Sequence, residues 1–363
     1  MEYGGIVHIA YYITAHGYGH GVRASAICNA FSRDVRLSFV TGLPESFLSE
    51  EIQREFRYRK AEFDCGCLQT DGVTVDIQRT LGEYMCIADR NKNALAKEVR
   101  WLKDEKIDGV VADITPFAFE AAASAGIPSV AVTNFTWYDI YLEYLAFLPE
   151  FRRYLDHIRN QYSMCGLLCA LSPALPMDYF PIREDLPVVG RSGIVRRPEL
   201  AVKLGIDRSK KIGLIYAGSY GMNSVEWKRL ESFAGWEFLG LYPLPENPSN
   251  YHIARKNDFR YQDLSASVDL VIGKIGYGTY AESVIHGTPI MFLPRKYFAE
   301  YTYLERALLS WGGGYVLPAE EFCALDWGST LAFVSGKAPA PPKLQNGAPM
   351  CAGTIESFIR RSI

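Results

Sequence analysis

No apolar run in this chain reaches the roughly 18–20 residues that a membrane-spanning helix requires, and the opening stretch GIVHIAYYIT has neither a basic n-region nor a cleavage site. Neither sign of charge dominates. Lys and Arg number 38 against 41 Asp and Glu, a net charge of −3, and the basic residues are scattered apart from RYRK at 57 to 60. That distribution offers no face for a polyelectrolyte, so nucleic acid is not an expected partner. The 8 cysteines form no repeated CxxC pairs, and no matching His or Cys pair lies near Cys65 and Cys67. Reduced, mostly buried thiols are therefore expected, with a zinc site at Cys65 and Cys67 as the weaker alternative. Together these absences predict a soluble, cytoplasmic protein with no metal. What is plentiful is apolar residue, 48% of a chain of 363, enough for two domains that each bury a core.

The first half alternates short β-rich runs with helical patterns, the signature of parallel strands joined by crossover helices. IVHIAYYI (6 to 13), VRLSFVT (35 to 41), GVVAD (109 to 113) and PSVAVTN (128 to 134) are strand candidates. Residues 141 to 170, rich in aromatic residues, read as two helices broken at Pro149. They pack on their own domain or, on the alternative reading, offer a peripheral contact to a membrane or protein acceptor. The proline-rich stretch 171 to 194 reads as an extended connector. A second α/β series follows, with strands at 211 to 218, 236 to 242, 268 to 274 and 289 to 294, a loop at 335 to 349 and a final amphipathic helix. The expected division is 1–172, a connector at 173–194, a second domain at 195–340 and a terminal helix at 350–363. Two doubly wound α/β domains then face each other across a cleft, where ligands of such sheets bind.

Three loops carry chemistry. In TAHGYGHGVRAS, Gly17, Gly19 and Gly21 permit tight turns, while His16 and His20 precede a helix at a strand's carboxyl end. Histidine is the usual base for deprotonating a hydroxyl. His20 is the favoured base, helped or replaced by His16, with Arg23 a nearby cation. The sequence HGYGHG is not a GxGxxG dinucleotide fingerprint. In AGSYGMNS (217 to 224), small residues including Gly218 and Ser219 leave amides for phosphate oxygens, a pattern that packing alone also produces. The strongest signal is DLVIGKIGYGTYAES (269 to 283). There Gly276, Tyr277, Gly278 and Thr279 open a helix toward an anion, Lys274 precedes the glycines, and Glu282 sits one turn on, placed to accept ribose hydroxyls or simply to be solvated. A Walker GK[ST] ending is absent, which disfavours ATP-driven phosphotransfer. Phe259 and Arg260 in DFRYQDL are placed for a base edge, and Arg295, Glu300, Tyr301 and Glu305 in PRKYFAEYTYLERAL for sugar hydroxyls or, alternatively, for an amphipathic helix start.

TAHGYGHGVRA, VADITPFAFEAAASAGIPSVAVTNFTWYDIYLEY and GKIGYGTYAESVIHGTPIMFLPRKYFAEYTYLERAL resemble the GT-B glycosyltransferase superfamily. More narrowly, they resemble the glycosyltransferase-like N-terminal half of plant L-arabinokinases, over about residues 6 to 310. The resemblance implies a metal-independent transferase with no cofactor, consistent with the lack of a DxD motif. A nucleoside diphosphate sugar, such as a UDP-sugar, would sit with its diphosphate at Gly276 to Thr279 and its ribose at Glu282. An unknown acceptor would bind near His16, Gly19, His20, Arg23, Asp113 and Asn134. It also implies that the final helix crosses back onto the first domain. No GLSSS-like kinase loop occurs, so kinase activity is not expected. Hydrolases and 2-epimerases share such loops, and a non-catalytic nucleotide-sugar binding module is the alternative from another class.

Overall fold

A computed structural model describes residues 5–70, 74–218, 223–336 and 341–363. Thirteen strands among them form two parallel sheets. The first contains β1 (Val7–Ile13), β2 (Val35–Thr41), β3 (Arg57–Lys60), β4 (Gly109–Asp113), β5 (Ser129–Thr133), β6 (Leu167–Leu171) and β7 (Arg183–Leu186), in the order β3-β2-β1-β4-β5-β6-β7. The second contains β8 (Lys211–Tyr216), β9 (Trp236–Gly240), β10 (Tyr251–Ile253), β11 (Leu270–Lys274), β12 (Ile290–Leu293) and β13 (Gly314–Val316), in the order β10-β9-β8-β11-β12-β13.

Central strands β1, β4 and β5 are buried at every position, which is why they read as continuous apolar runs: helices cover both faces of a parallel sheet. Side chains alternate across the sheet. Ile9, Tyr11 and Ile13 enter one core, and Ala10 and Tyr12 the other. The first of these cores continues through Val188, Val189 and Ile355 into Ala281 and Val284 of the second domain, so the two domains share apolar packing.

Two stretches differ from their sequence reading. Residues 141 to 170 are helical on either side of a break just before Pro149, as read, but the helical character does not last to residue 170. Helix Trp137–Leu142 gives way to 3-10 turns, then helix Arg152–Ser163, and the run LLCAL forms β6, whose every residue is buried in the sheet. The 173–194 connector is only partly a connector, because Arg183–Leu186 adds the edge strand β7.

The chain passes between domains twice, and the two passages are tied together. The Gly347 amide donates to the Val188 carbonyl at 2.7 Å, and the Asn346 side chain to the Gly190 carbonyl at 2.7 Å. The final helix, Ala348–Ser362, then lies on the first domain. Its Glu356 accepts the Ser32 amide and hydroxyl, both at 2.7 Å, and Ile355 and Ile359 are buried.

In each sheet the strand order reverses between neighbours, β1 and β4 in one, β8 and β11 in the other. Crossover helices leave such a point toward opposite faces and open a crevice at the strands' carboxyl ends. The two crevices face each other.

Candidate active site in the interdomain cleft

The cleft encloses about 370 Å³ and is lined from both domains, by His16, Gly19, His20, Arg23 and Phe135 on one side and Lys274, Gly276 to Thr279, Glu282, Arg295, Phe298 and Glu300 on the other. That volume lies within the roughly 300–1,000 Å³ of small-ligand sites.

Strand register assembles the first-domain wall. β1 and β4 pair Ile13 with Asp113, so the loop after β1 and the end of β4 share one edge. Helix Tyr18–Ala30 starts there and brings His20 and Arg23, one turn apart, onto Asp113. His20 Nδ1 lies 2.8 Å from Asp113 Oδ1; the carboxylate can only accept, so Nδ1 carries the proton and Nε2 is left for the cleft. Arg23 grips the same carboxylate with two bonds, Nε to Oδ2 at 2.8 Å and Nη2 to Oδ1 at 2.6 Å. Burial alone would push Asp113 up, but Arg23 and His20 hold it below the usual carboxylate range, while Asp113 more than offsets the burial of Arg23 and raises its guanidinium. Asp113 is therefore an anion that orients His20 and balances any charge His20 acquires.

His16 is differently employed. Its Nδ1 accepts the Cys67 amide at 3.0 Å, and its ring stands edge-on to Trp137 and stacks with Phe298. Burial, then the charges of His20, Arg295 and Lys274, lower its pKa to about 3, so it stays neutral. Gly66 fits against that ring with φ of +61°; a Cβ there would lie 2.4 Å from it.

The opposite wall starts at helix Tyr277–His286. No side chain caps it, and the first amide bonded back is that of Tyr280, to the Gly276 carbonyl at 3.0 Å. The preceding amides lack intrahelical acceptors and, with the helix dipole, favour an anion. Helix Tyr18–Ala30 also begins without a side-chain cap. The two glycine loops nearly touch: a Cβ at Gly278 would lie 3.7 Å from Gly19 Cα, whereas one at Gly276 would meet nothing within 4 Å. β11 pairs Lys274 with Leu293 of β12, which brings Lys274 and the loop of Arg295 to the same edge.

Glu282 is buried, and its Oε1 accepts Arg191 Nε at 2.7 Å while Oε2 has no hydrogen-bond partner among the described residues. Burial pushes its pKa up against the pull of Arg191. Arg191, from the passage between domains, also reaches Glu51 at 2.9 Å. At the other end Glu300 accepts the Asn134 amide at 2.8 Å, and Asn134 accepts Arg23 Nη1 at 2.7 Å, a chain of polar contacts running from domain to domain. Burial raises Glu300.

No family model matches the chain. Solved structures do. The glycotransferase of kitacinnamycin aligns at TM-score 0.63 and 15% identity, covering 98% of this chain and 95% of that one. Spinosyn rhamnosyltransferase SpnG, complexed with thymidine diphosphate, aligns at 0.63 and 14%, covering 98% and 96%, and MurG of Acinetobacter baumannii at 0.59 and 14%, covering 97% and 99%. The fold is GT-B. In sequence, the chain is 36% identical over 310 residues to L-arabinokinase of Arabidopsis thaliana, a match covering 82% of this chain and 29% of that relative's length.

Within this GT-B frame the remaining candidates are dispersed. Phe259 is buried beneath Arg196 and Lys203 instead of lining the cleft, and Arg260 lines a separate groove with Gly190 and Asn346. Tyr261 and Tyr216, whose ring centroids lie 4.5 Å apart, form that part of the wall. Gly218 borders a small pocket with Trp227 and Tyr242, and Ser219 lies outside the described residues. Tyr301 packs in the core against Phe292. The Tyr277 side chain points away from the cleft: its hydroxyl accepts the Val189 amide at 3.1 Å, and Arg23 lies 4.8 Å from its ring centroid. Sequence reasoning missed Arg191, Tyr216 and Phe298; an arginine in a connector next to glycine was the one available signal for Arg191. Among the described residues no helix is long and apolar enough to cross a membrane, and no group of three or more His, Cys, Asp or Glu is placed to hold a metal ion.

Proposed function

We propose that this GT-B protein transfers a sugar from a nucleoside diphosphate donor to an acceptor hydroxyl, with the donor on the second domain and the acceptor on the first. The observation that carries this reading is the His20–Asp113 pair facing the uncapped helix start at Tyr277 across one cleft. His20 Nε2 takes the acceptor's proton as its oxygen attacks the anomeric carbon, and Asp113 steadies the imidazolium that forms. The bond from the anomeric carbon to the phosphate oxygen breaks, and the leaving diphosphate's charge falls on the amides of residues 277 to 279 and on Lys274, an electrostatic role that needs no metal ion. Glu282 Oε2, buried without a partner among the described residues, suits a ribose hydroxyl. One base and one displacement suit inversion at the anomeric carbon.

Two of the structural neighbours support this class of reaction: the glycotransferase of kitacinnamycin and spinosyn rhamnosyltransferase SpnG are named as sugar transferases, and SpnG was solved in complex with thymidine diphosphate. Calorimetry with UDP, GDP and dTDP tests the donor site, and no binding to any of them overturns it. Incubation with the donor sugar and no acceptor separates transfer from hydrolysis, because rapid release of free sugar makes water the nucleophile.

A further inference from the structure

Arg295 is a half-buried cation whose shielded hydrogen-bonding edge is unused among the described residues. It follows β12 at the rim of the second domain, and its guanidinium carbon lies 3.6 Å from the centroid of the Phe298 ring. Its Nε and Nη2 are shielded from solvent and have no hydrogen-bond partner among the described residues. These two atoms share one edge of the guanidinium plane, and that edge matches the two oxygens of a carboxylate. The molecule contains a filled example: Arg23 presents the same two atoms to Asp113, at 2.8 and 2.6 Å. Arg191, the other arginine of the cleft, is answered by Glu282 and Glu51.

Nothing comparable answers Arg295 among the described residues. Cys67 and Tyr144 beside it are kept protonated by burial, and Glu300 Oε1 is taken by the Asn134 amide. Its electrostatic neighbours, Glu300, Cys67 and Tyr144, lie toward the His16 and His20 end of the cleft, whereas those of Glu282 are Arg191 and Glu51. The amides at the start of helix Tyr277–His286, together with Lys274, already serve a diphosphate between these ends.

Resting on the donor and acceptor arrangement proposed above, we infer that Arg295 anchors a carboxylate of the substrate beside His20, so that either the transferred sugar or the acceptor is an acid of the uronic type. The Nε and Nη2 edge takes both carboxylate oxygens, and Phe298 backs the guanidinium. A neutral sugar leaves that edge unsatisfied, which is the source of the discrimination.

The test is calorimetry on the wild type and Arg295→Gln with UDP, UDP-glucose, UDP-galactose, UDP-glucuronate and UDP-galacturonate, followed by titration of free glucose, galactose, glucuronate and galacturonate into the UDP complex. If the acid is on the donor, a UDP-uronate binds the wild type about 10-fold or more tighter than its neutral counterpart. If it is on the acceptor, a free uronate binds the UDP complex instead. In either case Arg295→Gln removes the preference and leaves the affinity for UDP within about 3-fold. Equal binding of acidic and neutral sugars in both arms overturns the inference. So does a loss of about 10-fold or more for UDP itself in the variant, which makes Arg295 a diphosphate ligand. Failure of UDP, GDP and dTDP alike defeats the donor site beneath it. Should Arg295→Gln not fold, Arg295→Lys, which keeps the charge and loses the two-pronged edge, is expected to retain UDP and lose most of the preference.

Discussion

Asn134 donates its amide to Glu300 across the domain boundary at 2.8 Å while its carbonyl oxygen accepts from Arg23 at 2.7 Å, so one side chain couples the His20–Arg23 wall of the first domain to the second domain. All three groups are buried. Asn134→Ala strands a guanidinium nitrogen and a carboxylate oxygen at once, each an unpaired buried group worth about 1–3 kcal/mol. Urea denaturation is expected to show a loss of about 2 kcal/mol or more, with faster amide exchange at the start of helix Ala299–Trp311; an unchanged midpoint would show that the coupling contributes nothing.

His20→Ala is expected to lower turnover about 10²-fold or more with donor affinity nearly intact. Asp113→Asn gives a different outcome. It misorients the imidazole and also leaves Arg23 without its anion, so loss of activity comes with a stability loss of about 3–5 kcal/mol. Kinetics paired with thermal melts separate the two variants. If His20→Ala instead unfolds while Asp113→Asn melts normally, the assigned roles are reversed.

Gly276→Val probes the proposed anion site without touching the core. Backbone φ there is −135°, which valine adopts, and the added Cβ meets nothing within 4 Å among the described residues. The melting temperature is expected to stay close to wild type, while nucleoside diphosphate affinity falls by about 10-fold or more as the branched side chain enters the cleft. Unaltered affinity would place the phosphates elsewhere.

His16 makes stability depend on pH. Its folded pKa of about 3 lies below the unfolded value of about 6.5, so the unfolded chain binds the extra proton as pH falls. The contribution is fully present above pH 6.5 and lost toward pH 3, at about 1.4 kcal/mol per pH unit. Between pH 6.5 and 5 the wild type is expected to lose about 2 kcal/mol more than His16→Gln, whose amide oxygen can still accept the Cys67 amide. Parallel pH profiles in urea melts would mean that His16 is protonated in the folded protein.

The parts of this architecture legible in the sequence are those set by burial on both faces of a sheet. VHIAYYI, GVVAD and LVIGK announce themselves because each of their residues, or nearly each, is buried. Edge strands escaped: RYRK and REDL are polar because one side of each faces water, and LLCAL was hidden in a run of helical character. At the site, loop chemistry singled out His20, Lys274 and the glycines. The pairing of His20 with Asp113 depends on a register joining residues nearly a hundred positions apart, which no local pattern encodes. Phe259 and Tyr261 show the same limit at short range, since both are aromatic and only the phase of the loop decides that the second faces the cleft.

Because the chain's two passages between domains run side by side and hydrogen-bond to each other, the domains share a spine in place of two separate tethers. Arg191 belongs to one of these passages, and through its bonds to Glu282 and Glu51 it ties the spine to both domains. The cleft wall around Glu282 is therefore braced by covalent chain as well as by ion pairs, whereas the wall around His20 is joined to the second domain by side chains, through Asn134 and Glu300.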